Sequence, residues 1–546
     1  MIVPASTQDE SVAALRGPTA PIISSGSSRR QRWVQLQLRA LQTRVWTYIH
    51  ADWQSHYSLD KLLCLYDYSA TTSTLTKLLT LALTPVPTLF IVMIIEAIPL
   101  QDFRLGWAHN PGFFARTFIR WFSAGIATGV QWGCHVPELA PPTLPMVIVT
   151  GFQAAWVVGG IIGLTEAVGV FPVPYSAFAV LPVFTSVGWG ARVYWMRRTL
   201  WNRAEPEQSR VERAKLSKLL DVLGFCNQFI SVYTISAMVF SQIPAGYQLL
   251  LAAVLQLLKI WVKQTEWVKA QLHWPQNDLA ALHVATNGQL FHQLFTAMCF
   301  QTSKSTLTLA LIVMLGIIQD VMAIRAIQRR IHQVNKLQHK VSLSNPASKV
   351  SLKTLRSIRA VWPAPDESMP ASDQVPTESS WEHYRIRAAE LIHSNDPKPP
   401  ALSQDEIQCV ERLTQLYHCR ELVLLRMYMD IFVSCLYFVV VAGIRRSVSA
   451  RYRGFFGTAD LGSLFWRIGS QVTTRCVTLS VLLWYLRDQN HPDGLDHLAF
   501  ILRRQWQPLH GSCMLMALSV IGFSVAHYGN DTTFRFTWLK SKPPAD

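Results

Sequence analysis

Apolar runs of about twenty residues recur along the chain, separated by short polar segments. An α-helix of that length crosses the hydrocarbon core of a bilayer. The plainest run is residues 305–322, STLTLALIVMLGIIQDVM, interrupted only by Gln319 and Asp320. Runs of the same kind lie at 78–100, 118–136, 146–171, 175–194, 219–240, 247–262, 279–300, 422–444, 465–486 and 509–527. The pattern predicts an all-α integral membrane protein, a polytopic bundle of about eleven transmembrane helices, with a range of nine to twelve.

The polar intervals divide the chain further. Residues 1–28 are rich in Ser, Pro and Thr, lack an apolar core, and are expected to be disordered rather than a cleavable signal peptide. Residues 29–75 are a basic region. Within 29–50 there are five Arg and no acid, and Val34, Leu38, Leu41, Val45 and Tyr48 share one helical face. This predicts an amphipathic helix, lying on the membrane or packed on the bundle. A first bundle of about eight spans follows at 76–327. Residues 328–421 are a soluble insertion whose middle, 363–400, has the Pro, Ser, Asp and Glu content of a linker, and 403–420 read as a helix entering the next span. A second bundle of about three spans occupies 422–529, and 530–546 form a polar tail.

Lysine and arginine set the threading. From Arg325 to Ala364 there are nine Lys/Arg and no acid, and residues 197–218 hold seven Lys/Arg against three Glu. Both regions, and the N-terminus, are expected in the cytoplasm. That requires the weakly apolar span at 279–300 to cross, despite His283, Asn287, Gln289, His292 and Gln293. The second half fits less well, because Arg445, Arg446, Arg451 and Arg453 would lie outside. An Asn530-Asp531-Thr532 sequon on the outer tail agrees with the threading.

Composition narrows the partners. Of 546 residues half are hydrophobic and 15% charged, against roughly 25% charged in a soluble domain. The net charge of +16 clusters beside the apolar runs, with no groove-reading motif, so nucleic acid is excluded as the partner. The lipid bilayer and its anionic headgroups are expected instead. In SKVSLKTLRSIRAVW, Lys349, Lys353, Arg356 and Arg359 alternate with Leu352, Leu355, Ile358 and Trp362, which suits a helix on an anionic leaflet. Ser351, Thr354 and Ser357 lie among those charges as candidate phosphorylation sites for its release. The nine cysteines form no CxxC, so neither a disulfide framework nor a zinc site is expected, and no cofactor is implied. Phosphate loops, GxSxG, HExxH and paired catalytic carboxylates are missing, which leaves an enzyme without positive support.

Interruptions of the apolar runs are the candidate chemistry. Pro85 and Pro87 should break or kink the first span. Gly125, Gly129 and Gly133 make a strip for close helix approach, and Gly159 and Gly163 are similarly spaced. Asp430 lies deep in its span with Arg426 one turn before it, an i, i+4 pair that reads as a structural link or a cation or proton site. With His292 they form the candidate intramembrane polar site. His283 and His292 face opposite sides of one helix and cannot share a metal. Glu96, Glu166 and Asp320 are expected to reach the headgroups, and Lys259 to snorkel. Asn227 and Gln228 are expected to bond between helices.

The segments GQLFHQLFTAMCFQTSKSTLTLALIVMLGIIQDVMAIRAI (288–327), LCLYDYSATTSTLTKLLTLALTPVPTLFIVMIIEAIPL (63–100) and ELVLLRMYMDIFVSCLYF (421–438) resemble segments of uncharacterised multi-pass membrane proteins of oomycetes. The resemblance implies a membrane bundle built around these three segments. That family has no assigned activity, so it implies no site residues.

The first functional expectation is a membrane scaffold or receptor-like protein, from the missing chemistry motifs and the long cytoplasmic insertion. The alternative is a secondary transporter or channel, with polar residues of the spans at 279–300 and 422–444 lining the path. A transporter often carries an internal repeat, and the sequence shows no clear one.

Overall fold

A computed structural model describes residues 57–136, 143–202, 205–273, 278–303, 305–344, 404–452, 461–489, 492–523, 525–530 and 536. The chain separates into two units, Met1–Ala51 and Asp52–Asp546, and every described residue belongs to the second. The expected disordered N-terminus, the 29–50 helix, the basic segment 348–362, the linker 363–400 and residues 531 and 532 of the sequon lie outside the described residues.

Helix α1 (Leu59–Thr71) is capped by Ser58 and buries Leu62 and Leu65, so it joins the bundle rather than the polar region before it. The two prolines then divide the first span into α2 (Thr74–Leu83) and α3 (Val86–Ala97). Pro85 has no N–H, which leaves the Leu81 carbonyl without its helical donor. The Tyr428 hydroxyl donates to that carbonyl at 2.7 Å. A neighbouring helix thus satisfies the break, as a lipid-exposed break requires.

Next come α4 (Pro111–His135), α5 (Thr143–Val168), α6 (Ser176–Trp195), the single turn α7 (Arg197–Leu200), α8 (Pro206–Gln242), α9 (Ala245–His273), α10 (Asp278–Thr302), α11 (Thr306–Ser344), α12 (Gln404–Arg446), α13 (Leu461–Gln489), α14 (Gly494–Arg504) and α15 (Trp506–Phe523). No strand occurs among the described residues. Among the described residues, five helical stretches are long and apolar enough to cross a membrane: Thr74–Ala97, Thr143–Val168, Ala245–Lys269, Thr306–Leu343 and Gln404–Arg446.

Contacts at the helix termini define two ends. At one, Ser449 accepts from Leu100 N and from Arg116, Tyr175 N donates to Gly529 O, His527 donates to Gln101 O, and Arg467 donates to Ser303 O. At the other, Lys61 pairs with Glu421, Lys77 with Asp496, Lys269 with Asp221 and Lys340 with Asp405. The long helices run between these ends in alternating direction. At about 1.5 Å per residue, α8, α11 and α12, with 37, 39 and 43 residues, are the longest and exceed the roughly 30 Å of a hydrocarbon core by about 25 Å or more. All three project their charged parts at the second end. The insertion therefore begins and ends as helix, continuous with the spans on either side.

The interior is largely apolar but also holds charged side chains, while many large apolar side chains face outward. Leu250, Leu257, Leu307, Trp466 and Trp484 are all more than 60% exposed, while Arg116, Asp320, Arg420, Glu421 and Asp430 are at most 2% exposed. Water would impose the opposite arrangement, so lipid is the solvent this surface fits. Of the five apolar stretches that of α12 is the most enclosed, 67% buried over its most apolar part against 22–33% in the other four.

Glycines set the closest approaches. Gly125 and Gly129 of α4 face Thr150, Gln153 and Met146 of α5, where an added Cβ would overlap them. Gly159 and Gly163 face open space instead.

Glu96 corrects an expectation. It sits at the end of α3, as a headgroup-reaching residue would, but is buried in the bundle, where Arg116 and Arg120 of α4 reach it at 2.8 and 3.4 Å. Glu166 is exposed and accepts from the Trp107 ring N–H. At the second end, His497 of α14 is fully buried between the rings of Tyr57 and Tyr417. Burial, followed by the nearby charges of Arg420 and Lys61, holds its imidazole well below the usual value.

Candidate functional site: a charge network inside the bundle

Helix α10 is too polar to face lipid, and it does not. Every residue from Thr286 through Cys299 is buried. Its glutamines serve α12 at matching helical spacing. Gln289 donates to the Asp430 carboxylate, and Gln293, one turn later, donates to the Asp430 carbonyl at 3.3 Å and to Ser434 Oγ at 3.0 Å. The opposite neighbour is α9, where Gln256 Nε2 lies 3.1 Å from His292 Nε2.

Two further helices complete the network. Asp320 of α11 is fully buried and accepts from Arg426 of α12 at 2.8 Å. It also accepts from Arg475 of α13 at 2.5 Å and from Thr478 Oγ1 at 3.1 Å. Arg475 reaches the Asp430 carboxylate at 3.5 Å and donates to the Gly316 carbonyl at 3.1 Å. A Cβ at Gly316 would overlap that guanidinium, so the missing side chain makes the room for it. Lys259 of α9 lies within electrostatic reach of Asp430, Arg426, Arg475 and Lys263.

These groups lie along the middle of the helices. Counted along their own helices, His292, Lys259, Asp320, Arg475 and Asp430 lie about 15–24 Å from the first end, and Arg426, whose side chain reaches back to Asp320, about 30 Å. At such a depth in a membrane-spanning bundle an ionised side chain persists only with partners.

Three sequence expectations change. Arg426 does not pair with Asp430 along α12 but reaches across to Asp320, and Arg475 takes Asp430. Asp320 does not reach the headgroups, because α11 continues to Ser344 and leaves it mid-helix. Lys259 stands inside the bundle at the same depth rather than at a span end. Arg475 was missed, although an arginine well inside the run at 465–486 carries the same signal as Asp430. The side chains of Asn227, Gln228 and His283, and residues Lys349, Lys353, Arg356 and Arg359, lie outside what is described. No group of three metal-ligating side chains occurs among the described residues.

Comparison with protein families, curated proteins and solved structures finds no match.

Proposed function

We propose that this chain is an integral membrane protein of eleven crossings, with its N-terminal region and central insertion in the cytoplasm. We further propose that it is a secondary transporter or channel whose solute or coupling ion engages the α9–α13 network. One observation carries the transport reading: five ionisable side chains, from four helices, lie together at mid-bundle beside the polar face of α10. Such groups are costly in lipid, and a bundle that needed only to be held together has apolar packing available.

The eleven crossings combine the five apolar stretches with α4, α6, α8, α10, α13 and α15, which run between the same two ends. Lys349, Lys353, Arg356 and Arg359 then fall on the cytoplasmic side, beside anionic headgroups. Membership among the oomycete membrane proteins remains part of this proposal and adds no activity.

A scaffold or receptor-like protein is the second reading. It is favoured by the full pairing of both carboxylates, each held by arginine and a neutral donor, as a static clasp also requires. Reconstitution in liposomes separates the two. Currents or isotope uptake on concentration jumps of ions and small solutes, lost in R475M, support transport. Silence of a monodisperse wild-type preparation to all probes supports the scaffold.

A further inference from the structure

Within the network positive charge exceeds negative. Lys259, Arg426 and Arg475 face two carboxylates, Asp320 and Asp430, and Lys263 adds to the positive field one turn along α9. The arginines consume both carboxylates. Among the described residues Lys259 makes no hydrogen bond or ion pair, although it stands at mid-bundle depth.

His292 adds a second unmatched donor. Gln319 Nε2 donates to Gln256 Oε1 at 3.4 Å, which turns the Gln256 amide nitrogen toward His292 Nε2. That ring nitrogen therefore accepts, and the proton resides on Nδ1. Nδ1 has no partner, and the residue is 3% exposed. His292 and Lys259 lie within electrostatic reach of each other. A buried N–H without an acceptor, next to a half-buried ammonium whose carboxylate within reach, Asp430, is already held by Arg475 and Gln289, is a costly arrangement that one acceptor-bearing negative ligand would relieve.

The geometry points to a small monovalent anion, a halide or a short carboxylate, held between α9 and α10 by Lys259 and the His292 Nδ1–H. A cation or metal is disfavoured there, because every unmatched group is a donor. This deepens the transport reading and rests on it for the anion's passage, but not for its binding.

The test therefore separates binding from flux. The full chain is purified in detergent in a potassium salt of a bulky sulfonate, and its melting temperature is followed on adding potassium chloride or potassium acetate. The inference predicts a saturable rise in wild type that is abolished in K259Q and in H292F. An equal rise in both variants, or none in wild type, overturns it; H292F decides alone if K259Q fails to fold. The same probes are then applied as concentration jumps to proteoliposomes. Anion currents in wild type support both readings. Stabilisation without current retains the anion site and overturns transport. Currents evoked only by sodium, potassium or pH jumps, without stabilisation, retain transport and overturn the anion.

Discussion

Replacing Asp320 with asparagine should be among the most damaging isosteric changes in this chain. The carboxylate is fully buried and accepts from two arginines, at 2.8 and 2.5 Å, and from Thr478. Asparagine keeps one acceptor but turns an N–H₂ toward guanidinium donors and leaves three cations against Asp430 alone. A unit charge pair at 4 Å contributes about 4 kcal/mol at an effective dielectric of about 20. Removing one partner of a buried pair costs about 3–5 kcal/mol. The control is Asp405, whose pair with Lys340 has the same 2.8 Å geometry but is 30% and 64% exposed. D405N should cost less than about 1 kcal/mol. Neutralising Arg426 as well restores the balance, so D320N/R426Q should recover at least half of the D320N loss. The assay is the apparent melting temperature of detergent-purified protein, across wild type, D320N, R426Q, the double variant and D405N. If D320N melts with D405N, or the double variant shows the simple sum of the single losses, the network is not a coupled unit and the reasoning fails.

Gly316→Ala should force Arg475 off the Gly316 carbonyl and Asp320, with a loss of about 2 kcal/mol or more, while Gly159→Ala, facing open space, should be silent in the same melting assay. Tyr428→Phe removes the donor that satisfies Leu81 at the proline break, and should cost about 1 kcal/mol. His497 gives a pH signature. Its folded imidazole titrates well below 6.5, so the unfolded chain binds the extra proton first. Stability from this group is complete above about pH 6.5 and falls as pH drops below it. H497F, which suits the tyrosine cage, should flatten the slope of melting temperature between pH 7 and pH 5.

The apolar runs announced the helices because a bilayer-length segment has few other uses. The proline break after Thr84 and the close approach at Gly125 and Gly129 followed from residue chemistry alone. What sequence did not reveal was partnership. The i, i+4 spacing suggested that Arg426 holds Asp430, yet on a single helix that orientation is the poorer one, and Asp320 offered a better partner from across the interface. Asp320 looked terminal because the apolar run stops two residues later, whereas the basic sequence after Met322 continues the same helix to Ser344. Lys259 looked like a snorkelling side chain for a related reason: its distance from the end depends on α9 extending to His273. The burial of Glu96 is not legible because Arg116 and Arg120 belong to the next helix, and nothing local shows that they turn toward it.

The central claim is that lipid solvates the outer surface that displays Leu250, Leu257, Trp466 and Trp484. Washing membranes from cells expressing the tagged chain with alkaline sodium carbonate tests this most directly, because the treatment strips peripheral proteins and leaves embedded ones. The account predicts that the chain stays with the membrane pellet and is released only by detergent; recovery in the carbonate supernatant would contradict it.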